Sequence, residues 1–279
     1  VPEIPIILAR SQTMSFSIDG KTAIITGAAN GIGLAIARHF ADQGAQVMLA
    51  DMDEARLAEE LGAAEEDGNI RYFSGDLREK LTIANLLSAT IDAFDKVDIL
   101  VNGSRQVLTT SPLDADDTSV ETLLQQNLLT SLRLSQLVAR RMIKQAHDRD
   151  EGPVGSIVNL SSIASRRARP ELLGFSISTA ALDQMTRSLA VTLAPERIRV
   201  NTVALGSVMS ASLQAILKEE PDLRESIERG TPLGRIAGAQ EVAEAVQYLA
   251  SEGSGFVTGQ ILTVDGGRTL LDPVAAAAH

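Results

Sequence analysis

Three glycines follow a short β-branched run near the start of the chain: Thr26-Gly27-Ala28-Ala29-Asn30-Gly31-Ile32-Gly33, spaced four and then two apart. This is not the general Gly-x-Gly-x-x-Gly spacing, but the setting is the same: a strand ends, a glycine-rich turn follows and a helix begins. Glycines there let the main chain approach a pyrophosphate, and the free amides of a helix N-terminus attract its negative charge. Asp51 stands at the end of the next apolar run, 24 residues after Gly27. A carboxylate in that place accepts hydrogen bonds from a ribose 2′-hydroxyl and repels a 2′-phosphate. Together the two features point to NAD(H) rather than NADP(H). Each also has a plainer role. The turn could be a structural strand–helix link, and Asp51 could cap a helix, since Asp51 and Asp53 both precede one; for Asp51 the two roles are compatible.

Alternating strands and helices must position such a site. Apolar runs predict strands over 22–26, 46–50, 70–74, 97–101, 156–160, 198–203 and 260–264. Between them, helical spacing predicts helices over 32–43, 53–64, 81–94, 120–146, 174–193 and 240–250. This alternation implies βαβ units and a parallel sheet buried on both faces. No linker-like tract divides the 279 residues, so one domain covers most of them. Residues 14–270 are expected to form it, with 1–13 an extension outside the core and 271–279 a tail. Met14 opens a segment that reads as a natural start.

Composition removes whole classes of function. With no cysteine, the chain has no disulfide framework, thiolate metal site or Cys nucleophile. His39, His147 and His279 are too scattered for a zinc site, and no metal is expected. A net charge of −11 and 3% aromatics argue against nucleic acid as a partner. The apolar run at residues 4–9 is far shorter than a membrane span and lacks the basic start and cleavage signal of a secretory peptide. No membrane partner is expected, and the expected compartment is the cytoplasm.

These residues resemble the short-chain dehydrogenase/reductase family. Thr-Gly-Ala-Ala-Asn-Gly-Ile-Gly matches the family's Thr-Gly-x-x-x-Gly-x-Gly turn. Gly75-Asp76-Leu77, Arg199-Val200-Asn201, Gly206-Ser207-Val208 and the closing Gly259 to Gly267 follow in the family's order, so the likeness spans about residues 15–270. It implies a single-domain α/β Rossmann fold: a doubly wound, seven-stranded parallel sheet with helices on both faces. It also implies NAD contacts from Gly27, Asn30, Gly31, Ile32, Gly33, Asp51, Asn102, Gly103 and Val208, with adenine held by the Asp76 side chain and the Leu77 backbone. The family commonly forms homotetramers; a homotetramer or homodimer is expected, partly because the helices over 120–146 and 174–193 carry more apolar surface than one sheet face needs.

In this family a Tyr protonates the substrate carbonyl as hydride arrives. A Lys four residues later lowers the Tyr pKa and holds the nicotinamide ribose, a Ser orients the carbonyl oxygen, and an Asn on the preceding helix positions a water. Here Asn127 and Ser162 stand at the Asn and Ser positions, but Phe175 and Thr179 stand at those of Tyr and Lys. Both losses fall on one helix face, one turn apart. Tyr72 and Tyr248, the only tyrosines, fall in the third strand and the last helix. Water held by Ser162 and Asn127 is the remaining donor. The Asn also has a structural role in the family, bonding the backbone of a kinked helix.

Further departures lie on the substrate side. Asn102-Gly103-Ser104-Arg105 replaces Asn-Asn-Ala-Gly, and Leu205-Gly206 replaces Pro-Gly. Asn102 could instead bond neighbouring strands. Arg105 brings a cation beside the nicotinamide; Arg166 and Arg167, in Arg166-Arg167-Ala168-Arg169, lie in a loop that normally borders substrate. These read as candidates for holding an anionic small molecule, the alternative for 166–169 being surface pairing with Glu171 and other acids. The resemblance thus implies an NAD-linked oxidoreductase of a carbonyl or alcohol whose proton donation is weak, altered or absent. The alternative is an NAD-binding pseudoenzyme that senses or scaffolds. A non-redox branch of the fold would lose the nucleotide turn, which this chain keeps.

Overall fold

The computed structural model describes residues 16–62 and 68–272. Seven strands form one sheet: β1 (Thr22–Thr26), β2 (Gln46–Asp51), β3 (Ile70–Ser74), β4 (Ile99–Asn102), β5 (Gly155–Ser162), β6 (Ile198–Leu205) and β7 (Ile261–Val264). Every ladder is parallel and the order is β3-β2-β1-β4-β5-β6-β7. The order reverses between β1 and β4, which opens a crevice at the carboxyl ends of those strands. Asp51 lies opposite Ser74, Asn102 opposite Asn159 and Ser162 opposite Leu205, so the residues of interest gather along that edge.

Alternate strand residues feed two cores, as the pleat requires. Ala23, Ile25, Val47, Leu49, Val101 and Val203 pack with α1 (Gly31–Asp42) and α9 (Ala239–Ala250). Ile24, Met48, Leu100, Ile157 and Val200 face the other way, toward α3 (Lys80–Phe94), α5 (Thr130–Gln145) and α6 (Leu173–Leu193). This is the expected doubly wound Rossmann fold.

The short helix α2 (Glu54–Leu61) begins on Asp53, whose side chain accepts the Arg56 amide; Asp53, not Asp51, is the cap. The helix expected over 120–146 is not uniform. It runs as α4 (Ser119–Leu123), a π-helical stretch (Leu124–Leu129) and α5. The Thr130 hydroxyl donates to the Gln125 carbonyl, five residues back, within this widened turn. The fourth strand starts later than residue 97, because the Gln145 side-chain amide takes both main-chain groups of Val97. Two helices went unforeseen: α7 (Ala211–Glu219) and α8 (Pro221–Arg229), which close Leu217 and Ile227 around Ile236 in a small separate core. Among the described residues no helix is long and apolar enough to cross a membrane. The extension over 1–13 and most of the 271–279 tail lie outside the described residues.

Candidate functional site

The glycine-rich turn is shaped by close approach. Gly27 has φ +70°, and a Cβ there would stand 2.8 Å from the Gly103 carbonyl oxygen. A Cβ on Gly33 would meet the Gly27 carbonyl oxygen at 2.1 Å, so α1 starts hard against the turn it follows. Gly31 has φ +56°, and a Cβ there would only touch the Ser210 Cβ at 3.9 Å. Asn30 caps α1 from an extended conformation, and its exposed side chain makes no bond to the helix. Ile32 is buried on the core side. Beneath the turn, the Thr26 hydroxyl accepts the amides of Gly103 (3.0 Å) and Ser104 (3.1 Å), fixing the two strand ends together. A tightly wound glycine-rich main chain running into a helix N-terminus, with its free amides, is the form a pyrophosphate requires.

Asp51 is tied into the same turn. One carboxylate oxygen accepts the Ala29 amide at 3.1 Å, and the other accepts those of Met52 (2.7 Å) and Asp53 (3.2 Å). The side chain is half-buried and keeps spare acceptor capacity. These features fit a dinucleotide. Asp76 already has a partner: Arg78 grips it, Nε to Oδ1 at 2.9 Å, and this hydrogen bond holds the carboxyl below the usual carboxylate range. Leu77 beside it is buried. The Asn102 side chain donates to Ser135 (3.0 Å) and Asn159 (2.8 Å), so it does bond its neighbours, in a buried polar row that continues through Thr186 to Thr202.

Asn127, 3% exposed, sits in the π-helical stretch. Its oxygen accepts the Gln106 amide (2.8 Å), and its nitrogen donates to the Gln106 carbonyl (2.9 Å) and to Ser178 Oγ (3.2 Å). The π turn thus aims one side chain at both the loop after β4 and α6; such turns recur at functional sites. Ser162 ends β5 half-buried, and its hydroxyl accepts the Ala164 amide at 3.2 Å. Phe175 and Thr179 lie on the inner face of α6, 5% and 3% exposed. The Thr179 hydroxyl donates back to its own helix, at 2.9 Å from the Phe175 carbonyl and 3.1 Å from that of Ser176. Both tyrosines lie elsewhere in the fold. Tyr72 is exposed on edge strand β3, and Tyr248 in α9 lies tilted against Phe16, ring centroids 5.9 Å apart. Sequence reasoning missed Ser178, which joins Asn127 to α6, and Thr26, which joins the turn to β4. Thr26 opens the glycine-rich turn; Ser178, one residue before Thr179, carries no separate signal.

The arginines divide. Arg166 donates to the Thr263 hydroxyl at 3.0 Å, and Arg167 donates to the carbonyls of Thr269 and Leu271. Both are turned to the C-terminal segment, and only Arg169 pairs with Glu171, at 2.7 Å. Arg105 makes no hydrogen bond or ion pair with any described residue. Val208 is buried, and its neighbours Ser207 and Met209 exchange main-chain bonds with Ala237. A cavity of about 420 Å³ opens beyond β6 and β7, lined by Ser207, Arg235, Glu241 and Asp265 among others, but it touches neither Gly27 nor Ser162.

This geometry can be set beside known proteins. The family model described as enoyl-(acyl carrier protein) reductase matches residues 27–269. An uncharacterized oxidoreductase of Mycobacterium tuberculosis is 33% identical over 257 residues, covering 91% of this chain and 94% of its own. Galactitol 2-dehydrogenase (L-tagatose-forming) of Cereibacter sphaeroides is 35% identical over 260 residues, covering 91% and 97%. The structure of a 7α-hydroxysteroid dehydrogenase complexed with NADH and 7-oxo glycochenodeoxycholic acid superposes with a TM-score of 0.82 at 31% identity, covering 90% of this chain and 95% of the other. The chain belongs to the short-chain dehydrogenase/reductase family of NAD(P)-dependent oxidoreductases.

Proposed function

We propose that the protein is an NAD(H)-linked oxidoreductase of a small alcohol or carbonyl compound in which ordinary carbonyl reduction is slow or absent. The observation that carries this reading is the contrast between two neighbouring parts. The glycine-rich turn and Asp51 keep the form a dinucleotide needs, while the inner face of α6 presents a buried phenyl ring and a hydroxyl bonded into its own helix. The pyrophosphate would rest on the turn from Gly27 through Asn30 and Gly31 to Ile32 and Gly33. Asp51 would take the adenosine ribose and favour NAD over NADP, Asp76 and Leu77 would flank adenine, Gly103 would border the ribose, and the main chain at Val208 would face the nicotinamide. The bound nicotinamide supplies or accepts a hydride.

The chain's own residues then decide the fate of the proton. Phe175 has no proton to give, and Thr179 lacks the reach and charge of an ammonium. Ser162 still has its hydroxyl hydrogen available while accepting from Ala164, so it can orient a carbonyl oxygen or a water. Asn127 bonds Gln106 and Ser178 and acts as a positioning residue for the loop carrying Arg105. The named activities of relatives, on a polyol and on a steroid acid, support a small-molecule substrate. Exposed Ile177 and Val191 on α6 support self-association through that helix.

A second reading, an NAD-binding pseudoenzyme, is favoured by the same closure of positions 175 and 179 into the protein. One experiment separates them. Calorimetric titration with NADH and NADPH should show tighter NADH binding. NADH consumption against a panel of ketones and aldehydes should then show slow turnover for the first reading and none for the second; equal or tighter NADPH binding contradicts both.

A further inference from the structure

Arg105 is held in place without being used. On one side, the Ser104 amide donates to Thr26 Oγ1 at 3.1 Å and the Ser104 hydroxyl accepts from Gln126 at 3.1 Å. On the other, both main-chain groups of Gln106 are clamped by Asn127, at 2.8 and 2.9 Å. The main chain at 105 is therefore fixed between two anchors, while the guanidinium has no partner among the described residues. The chain carries 36 acids against 25 lysines and arginines, yet none of the acids within the described residues pairs with it. Arg105 is open to solvent, and desolvation by the surrounding protein lowers its pKa, with no opposing carboxylate. Its ordinary pKa is so high that it stays charged there.

We propose that Arg105 is the anion-recognition residue of this site, and that the substrates are small carbonyl or alcohol compounds carrying a carboxylate, which the guanidinium fork receives. This rests on the oxidoreductase reading above and names its substrate class. The position favours substrate over the cofactor's own phosphates. The segment leaves the glycine-rich turn at Ser104 and reaches Asn127 at Gln106, so Arg105 stands on the stretch leading from the nucleotide seat toward Asn127 and Ser178. The planar fork matches a carboxylate bidentately.

The test loads the full-length protein with NADH and titrates pyruvate, acetoacetate and levulinate, each beside its uncharged methyl ester. At least one acid should bind roughly 10- to 100-fold tighter than its ester, the range of a hydrogen bond to a charged group. Arg105→Ala should erase that preference and leave NADH affinity unchanged, and Arg105→Lys should keep part of it as a point charge. If no acid outbinds its ester, the proposal is wrong. It is equally wrong if Arg105→Ala weakens NADH and spares the acids, which would assign Arg105 to the cofactor phosphates. If the wild type fails to bind NADH, the oxidoreductase reading falls instead. The same acid and ester titrations on the cofactor-free protein then decide the role of Arg105 alone.

Discussion

Placing an acid at 175 and a cation at 179 together tests the proposed chemistry most directly. Phe175→Tyr adds a hydroxyl to a ring that is 5% exposed, and Thr179→Lys puts a four-carbon stem where the present side chain is 3% exposed. If the phenol finds no partner, its burial costs about 1–3 kcal/mol, or roughly 2–4 °C of melting temperature per kcal/mol. Losing the Thr179 bonds to the Phe175 and Ser176 carbonyls costs little, because the helix keeps its own ladder. The lysine is costly only if its ammonium cannot reach the crevice. The catalytic gain is larger: a positioned general acid is worth about 10²–10⁴-fold, or ~3–5 kcal/mol of barrier. A tyrosine alone would keep a pKa near 10 and serve poorly as a base near neutrality, and a lysine alone would have no phenol to tune. The double variant should therefore exceed the sum of the single effects by about 0.5–3 kcal/mol. The assay is NADH consumption by wild type, both single variants and the double against ketones and aldehydes, with melting temperatures beside it. Robust wild-type turnover that falls in Phe175→Tyr would refute the reasoning, since the phenyl ring would then belong to a working mechanism.

Other consequences can be checked separately. Asp51→Ala removes the charge that opposes a 2′-phosphate and the acceptor of the Ala29 amide; the NADH preference should shrink by about tenfold or more in titrations of both cofactors, and an unchanged ratio would count against Asp51. Gly33→Ala sets a Cβ at 2.1 Å from the Gly27 oxygen and should cost at least about 1–3 kcal/mol along with NADH affinity. Gly152→Ala, at φ +81° in open space, should cost about 1–2 kcal/mol in denaturation and leave binding intact. Arg235 and the Gly238 amide pull the Glu241 pKa down to about 2. Because the folded value lies below the unfolded one of about 4.3, that stabilisation is present above pH ~4 and fades as pH falls toward 2. Stepped-pH denaturation should show wild type and Glu241→Gln converging there, and a constant gap would contradict it. Val191→Glu on α6 should lower the mass seen by light scattering; a wild-type monomer at micromolar concentration would overturn the self-association reading.

Much of this architecture is legible in the sequence where local chemistry decides it. β1 and β3 end where their apolar runs meet Gly27 and Gly75, so their bounds follow from the residues themselves. The turn and Asp51 are legible because spacing alone joins them. What long-range partners decide is hidden. Val97 looks like strand until Gln145, 48 residues away, takes its main chain. An apolar stripe continues through the π stretch, so nothing in its period marks the extra residue that aims Asn127. Arg166 and Arg167 find partners 97 and 102 residues on, whereas local charge logic offered Glu171 and other acids to all of 166–169, and only Arg169 takes one. α7 and α8 bury too few apolar residues to announce themselves before Ile236 joins them.

The close fit of Gly27 against Gly103 also sets the order in which the chain acquires its ability to bind. The β1–turn–α1 unit is local and can form early, but the Thr26 hydroxyl that steadies it is bound by amides 77 and 78 residues later. Those amides arrive only when β4 docks beside β1, past the intervening β2 and β3. Closing a loop of that length carries an entropic cost, and contacts so distant in sequence slow folding. A nascent chain ending before β4 would hold the glycines without the wall they rest on. Capture of NADH by a refolding chain would therefore act as a clock for the closure of β1 on β4, trailing the appearance of helix and reporting when the two halves of the sheet have met.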